Sequence, residues 1–168
     1  MYKRQELDFI FYSGRAEVPL YAEATQSDAK KVGIKINLKN VDYNVLDGIG
    51  VRGEYDLLIS NILTEQAGDP EVFVNQYWKT NVDGSNPQNG SGYSNPEYDA
   101  LSDQLASEFD PAKRRDIIIK MEKIVQDDAA TLIFGYPQTN MVSNKSVQNA
   151  NIYPCDYYWV TKDITPAK

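Results

Sequence analysis

The 168-residue sequence contains no histidine. This absence excludes Ser–His–Asp and Cys–His nucleophiles, and it removes the imidazole ligands that many protein metal sites use. A single cysteine, Cys155, permits no internal disulfide. No P-loop and no dinucleotide-binding glycine pattern is present. Enzymatic chemistry would therefore have to rest on carboxylates, and the sequence predicts no cofactor and no metal site.

Clustered basic charge and long apolar runs are also missing. The net charge of −7 argues against nucleic acid as a partner, because phosphate binding needs grouped Lys and Arg. The cluster Lys113-Arg114-Arg115 lies among acidic residues and is interpreted as solvated helix surface. No run of about 18 apolar residues occurs, so no membrane span is predicted. The opening residues lack the apolar core of a signal peptide, which leaves a cytosolic protein or a sequence that begins inside a longer chain.

The first 60 residues alternate between strand and helix patterns. The predicted order is a strand at 7–12, a helix at 18–33 with Pro19 near its start and Gly33 after its end, a strand at 34–40, a short helix capped by Asp42, and a strand at 55–63. This alternation is typical of an α/β layer with parallel crossovers.

The second half has helices that share one starting device. Asp69, Asn95 and Asp110 each precede a proline, and each is predicted to cap a helix while the proline occupies its first turn. Two of these helices carry apolar stripes that should meet in one core: Leu101, Leu105 and Phe109; then Ile117, Met121, Ile124 and Val125. A polar surface loop precedes them, and strands are predicted at 130–137 and 139–144.

Two functional hypotheses follow from the residues alone. Glu65 and a second carboxylate such as Asp83 could form a hydrolase pair, provided that they lie within about 10 Å. Asp69 is less suited to this role because it is predicted to cap a helix. The aromatic tail with Tyr157, Tyr158 and Trp159 could instead make the chain a protein-interaction module.

Three stretches in order carry a resemblance to a known family: "DAKKVGIKINL", "GEYDLLISNILTEQAGDPEVF" and "YSNPEYDALSDQLASEFDPAKRRDIIIKMEKIVQDDA". In the last one, Asp99 and Arg114 stand at the matching places. The sequence resembles the second lobe of the family 5 extracellular solute-binding proteins, which is the oligopeptide, dipeptide and nickel group of ABC importers. The resemblance covers nearly the whole chain, and its specificity comes from the order and spacing of the motifs.

The resemblance implies a type II periplasmic-binding-protein-like single lobe, an α/β fold with a mixed sheet flanked by helices. Residues 7–147 would form the second lobe of a two-lobe protein, and residues 148–168 would return to a missing N-terminal lobe. The family's ligand loop corresponds to 63–68, so Thr64, Glu65 and Gln66 are the implied ligand contacts, with Tyr158 near the hinge. Peptide binders place an Asp where Gln66 stands, which leaves the solute open between a peptide and a metal chelate.

The resemblance also implies a function and its partners. The full-length protein would be a non-enzymatic bacterial lipoprotein, extracellular or periplasmic, that captures a small solute for an ABC permease. A lone lobe would expose apolar surface, so self-association through the tail is expected.

Overall fold

A computed structural model describes residues 6–62, 64, 69–138, 140–153 and 160–167. Its elements in chain order are β1 (Glu6–Tyr12), α1 (Glu17–Lys31), β2 (Lys35–Val41), α2 (Tyr43–Arg52), β3 (Leu57–Leu58), α3 (Glu71–Trp78), α4 (Pro96–Ser107), α5 (Pro111–Asp127), β4 (Val147–Gln148) and β5 (Thr165–Pro166). None of the helices in these ranges has the length and apolar character that a bilayer crossing requires.

The first three strands form a parallel sheet in the order β2-β1-β3. β1 pairs with β2 along its whole length, from Glu6 opposite Lys35 to Tyr12 opposite Val41. The predicted α/β layer with parallel crossovers is therefore confirmed. The strand predicted at 55–63 is much shorter, because β3 pairs only with β1 and its ladder ends where the Ile59 N–H donates to the Ile10 carbonyl.

The helix ends are set by local side-chain chemistry. Gly33 follows α1 with a φ of 86°, a left-handed conformation in which a Cβ would be strained. The Asp42 side chain accepts from the Asn44 N–H at the start of α2. Asn95 accepts from two backbone N–H groups of α4, and Asp110 does the same for α5, with a proline next in each case. These carboxylates and amides satisfy donors that a helix cannot pair internally.

Buried side chains form two clusters. The first packs α1 and α2 on the parallel sheet and contains Phe9, Ile10, Tyr12, Val18, Ala22, Ile36, Leu46 and Ile59. The second joins α3, α4 and α5 and contains Val74, Trp78, Tyr98, Leu105, Ile117, Ile118, Met121 and Val125. The predicted stripes meet there, but Phe109 is 87% exposed. It falls off the stripe because α4 ends at Ser107, so the helical period no longer applies.

The segment after α5 differs from the prediction. Residues 130–138 and 140–144 contain no strand, so the strands predicted at 130–137 and 139–144 are wrong for the described residues. A strand needs a neighbour for its backbone hydrogen bonds, and the described sheets include no pairing with this segment. Leu132, Ile133 and Tyr136 are exposed, whereas Phe134 stacks on Tyr21 of α1 with ring centroids 4.9 Å apart.

The two ends of the 148–168 segment approach each other. β4 and β5 pair antiparallel, and the Asn149 side chain donates to the Asp163 carbonyl at 3.0 Å. Residues 154–159, with Cys155 and the aromatic cluster of the tail, lie outside the described residues. The return of this segment to a first lobe stays a prediction.

Replacing Leu105 by Ala should lower the free energy of unfolding by about 2–5 kcal/mol, because the side chain is fully buried and its removal leaves a cavity among α3, α4 and α5. Urea denaturation followed by circular dichroism measures the change. Phe109→Ala is the matched control, with an expected change within about 0.5 kcal/mol. An equal loss in both variants would contradict the described second cluster.

Candidate functional site

The candidate site lies at the carboxyl edge of the parallel sheet. Parallel strands end at the same edge, and ligands of open α/β sheets bind in the crevice outside these ends. The chain that leaves β3 at this edge reaches α3 through residues 59–70, which include the predicted ligand loop. Thr64 is half-buried there. Glu65, Gln66 and Tyr158 lie outside the described residues, so their roles stay predictions.

Asp69 fixes the end of this loop. Its Oδ1 accepts a hydrogen bond from the Glu71 N–H at 2.9 Å, and its Oδ2 accepts from Arg114 Nη2 at 2.7 Å. α3 begins at Glu71, and Pro70 occupies the N-cap position just before it. Asp69 therefore lies one position further from the helix than predicted. The carboxylate satisfies a free helix N–H and forms an ion pair at the same time.

Arg114 joins three segments through one guanidinium. Nη2 donates to Asp69 and to Glu71 Oε2 at 2.8 Å, while Nη1 donates to the carbonyls of Leu105 at 2.9 Å and Glu108 at 2.8 Å. The side chain is 18% exposed, which corrects its interpretation as solvated helix surface. The hydrogen bond to Glu71 and the charge of Asp69 raise the pKa of Arg114, so the group stays charged. The end of α4, the start of α5 and the end of the ligand loop are thereby held together.

The polar loop between α3 and α4 is held by hydrogen bonds that involve a buried asparagine and a carboxylate of α4. Asn89 is almost fully buried, and its Nδ2 donates to the carbonyls of Lys79 at 3.0 Å and Tyr93 at 2.8 Å. The Thr80 N–H donates to Asp99 Oδ1 at 2.9 Å. Within the described ranges, no group of three Asp, Glu, Cys or His side chains is placed to hold a metal ion. This loop is structural, and its asparagines replace the backbone partners that a strand would supply.

A second carboxylate closes the far end of the helical layer. Asp128 accepts from the Tyr93 hydroxyl at 2.6 Å and from Asn95 Nδ2 at 2.9 Å, and these bonds lower the pKa of Asp128. Burial and the Asp128 charge raise the pKa of Tyr93 to about 12. Because the pKa of Asp128 is lowered in the folded chain, its ionised carboxylate stabilises the fold at pH values above the ordinary carboxyl pKa. This contribution is lost as the pH falls through the folded-state pKa.

Two polar groups at the sheet edge were not among the predicted site residues. Tyr12 ends β1, and Asn61 follows β3 by three positions. The Tyr12 hydroxyl and Asn61 Nδ2 are buried, and neither donates to an acceptor among the described residues. The only sequence signal for them is that each follows an apolar strand run, a signal shared by many structural residues.

The chain is similar in sequence to binding proteins of several bacteria. No family model matches the chain. It is 30% identical to the nickel-binding protein NikA of Staphylococcus aureus over 155 residues, which are 92% of this chain and 30% of NikA. It is 26% identical to the dipeptide-binding protein DppE of Bacillus subtilis over 159 residues, which are 92% of this chain and 28% of DppE.

Solved structures give the same result. The crystal structure of S. aureus NikA in complex with Ni(L-His)₂ superposes with a TM-score of 0.74 and 25% identity, covering 98% of this chain and 34% of that one. The homologues of this chain are family 5 extracellular solute-binding proteins. AppA of Clostridium difficile shares the fold, with a TM-score of 0.75 and 23% identity over 88% of this chain and 30% of that one.

The chain therefore has the predicted type II periplasmic-binding-protein-like fold. It spans about 30% of the length of the curated relatives it matches. Those relatives are substrate-binding proteins, not enzymes.

Replacing Arg114 by Lys should lower the free energy of unfolding by about 1–3 kcal/mol, because one ammonium cannot replace a planar fork that reaches four acceptors. Chemical denaturation measures the loss. Arg115→Lys, at an exposed neighbouring position, is the matched control and should change little. Equal stability of the two variants would show that the Arg114 contacts do not hold the loop.

Proposed function

We propose that residues 7–147 are the second, C-terminal lobe of a solute-binding protein that captures a peptide or a nickel chelate for an ABC importer. The observation that carries the proposal is the match of 98% of this chain to 34% of NikA, a protein solved with a bound nickel–histidine complex. A match of this kind leaves the larger part of the relative for a first lobe. The 148–168 segment would return to that lobe.

Ligand capture in this proposal depends on closure of the two lobes over the sheet edge. In this proposal, Thr64, Glu65 and Gln66 contact the solute, and Tyr158 acts near the hinge. Asp69, held by Arg114 at 2.7 Å, anchors the loop on the helical layer. A loop fixed before the ligand arrives loses less conformational entropy on binding, and this raises affinity without adding contacts.

The side chains of this lobe favour a solute that brings its own metal ligands or needs no strong ion pair. Gln66 is neutral, so it cannot pair with the amino end of a peptide as an Asp would. The chain has no histidine to coordinate nickel directly. A complex such as Ni(L-His)₂ carries its own imidazoles, and the protein would then recognise the outer oxygens of the chelate.

The proposed setting is outside the cytoplasm, with the parent protein anchored by a lipid and recognised in its closed form by a membrane permease.

The relatives with curated names are binding proteins, and none of these findings supports the carboxylate hydrolase. Glu65 lies outside the described residues, whereas Asp83 occupies a left-handed turn at a φ of 52°.

Titration calorimetry tests the two-lobe arrangement. A micromolar solute corresponds to about 8 kcal/mol, and if the absent lobe supplies half of the contacts, the 168-residue chain should bind near the millimolar range. The full parent protein should bind Ni(L-His)₂ or a short peptide at least a hundredfold more tightly. Sub-micromolar binding by this chain alone would contradict the arrangement.

The exposed apolar side chains of the 130–144 segment predict self-association of this chain. Leu132, Tyr136 and Val142 are each more than two-thirds exposed. Sedimentation velocity should show an average mass that rises with concentration. Replacing all three by Ser should abolish the rise, while the same number of Ser substitutions at exposed polar positions should not. A strict monomer at high concentration would refute this prediction.

A further inference from the structure

The carboxyl edge of the sheet holds two polar groups whose hydrogen-bonding capacity is unused. β1 and β3 are in register with Ile10 opposite Leu58, and the next contact joins the Ile59 N–H to the Ile10 carbonyl. Tyr12 lies two residues beyond Ile10 and Asn61 three residues beyond Leu58. Both residues therefore follow their strands at the edge where the ligand loop begins.

Neither group has an acceptor for its hydrogen within the described part of the chain. The Tyr12 side chain is 2% exposed, and Asn61 Nδ2 is shielded from solvent. A buried donor without an acceptor destabilises the folded state, so such groups are rare in folded proteins. Tyr98 shows the ordinary arrangement, because its fully buried hydroxyl donates to the Val74 carbonyl at 2.6 Å.

The Tyr12 hydroxyl and the Asn61 amide both lack an acceptor oxygen among the described residues. Burial raises the pKa of the Tyr12 hydroxyl, while the positive charge of Arg15 and its side-chain hydrogen bond to the hydroxyl oppose that shift. Arg15 can only donate, so this contact leaves the hydroxyl hydrogen without an acceptor. The hydroxyl therefore stays protonated at neutral pH and can donate. Asn61 Nδ2 is also a donor, so the two unused groups both require an acceptor oxygen.

We propose that the Tyr12 hydroxyl and the Asn61 amide donate to a carboxylate oxygen of the bound solute. The inference rests on the proposed function, since it names the part of the solute that this lobe recognises. Two neutral donors can bind a carboxylate through hydrogen bonds, and the proposal assigns it no positively charged partner in this lobe. The carboxylate belongs either to the free end of a peptide or to an amino acid that chelates a metal.

Tyr43 packs beside Tyr12. Its ring meets the Tyr12 ring edge-on with centroids 5.0 Å apart, and Tyr43 itself is half exposed at the start of α2. In the proposal, hydrogen bonds to the solute compensate for the two donors that lack an acceptor.

The first test measures stability without ligand. Tyr12→Phe removes an unpaired hydroxyl and should raise the melting temperature of the 168-residue chain by a few degrees. Tyr98→Phe removes a paired hydroxyl from an equally buried ring and should lower it. A lower melting temperature for Tyr12→Phe would show that this hydroxyl has a partner in the folded chain and would overturn the inference.

The second test follows the side-chain amide resonance of Asn61 by NMR at millimolar probe. The probes are Ni(L-His)₂, a tripeptide with a free carboxylate and the same tripeptide as its C-terminal amide. The resonance should shift or broaden with the first probe or with the free-acid tripeptide, and not with the amide. Tyr12→Phe should raise the dissociation constant about tenfold, because a hydrogen bond to a charged group contributes about that factor to the affinity.

The outcomes separate the two proposals. If other resonances respond to a probe while the Asn61 amide does not, or if Tyr12→Phe binds as tightly as the wild-type chain, the inference is wrong and the proposed function stands. If no resonance responds to any probe, the proposed function fails and the inference fails with it. Response to the nickel complex alone, or to the free-acid tripeptide alone, supports the inference and identifies the source of the carboxylate.

Discussion

The guanidinium of Arg114 is the contact on which the arrangement of the helical layer depends. It reaches two carboxylates at the start of α3 and two carbonyls at the end of α4 from the first turn of α5. The charge-assisted bonds require a planar fork at a fixed distance from all four oxygens, so they fix the separation of the three helices as well as joining them. Because Asp69 is one of the acceptors, the predicted ligand loop is anchored at its end, where α3 begins.

The helical layer and the sheet edge differ in whether their buried polar groups are hydrogen-bonded. In the helical layer, the buried Asn89 side chain and the buried Tyr98 hydroxyl are both hydrogen-bonded to backbone carbonyls. At the sheet edge, Tyr12 and Asn61 hold donors without partners among the described residues. Buried donors without an acceptor are unusual, and they contrast with the paired polar groups of the helical layer. The proposed solute would supply the missing acceptor.

The chain spans only part of the proteins to which it is similar, about 30% of NikA. Among the described residues, the segment after α5 has exposed apolar side chains and a strand-like composition but forms no strand. Under the proposed function, a further lobe would cover this surface.

Local chemistry was enough to predict the elements whose causes are local. The caps at Asp42, Asn95 and Asp110, the glycine that ends α1 and the alternation of β2 depend on residues within a few positions, so the sequence determined them. Phe109 and the strands expected at 130–144 failed because helix length and strand pairing depend on distant partners. Arg114 looked like solvated surface, since its acceptors lie up to 45 residues away. Only the tertiary structure could show which buried donors lack a partner, because that property belongs to the surroundings of a residue and not to the residue.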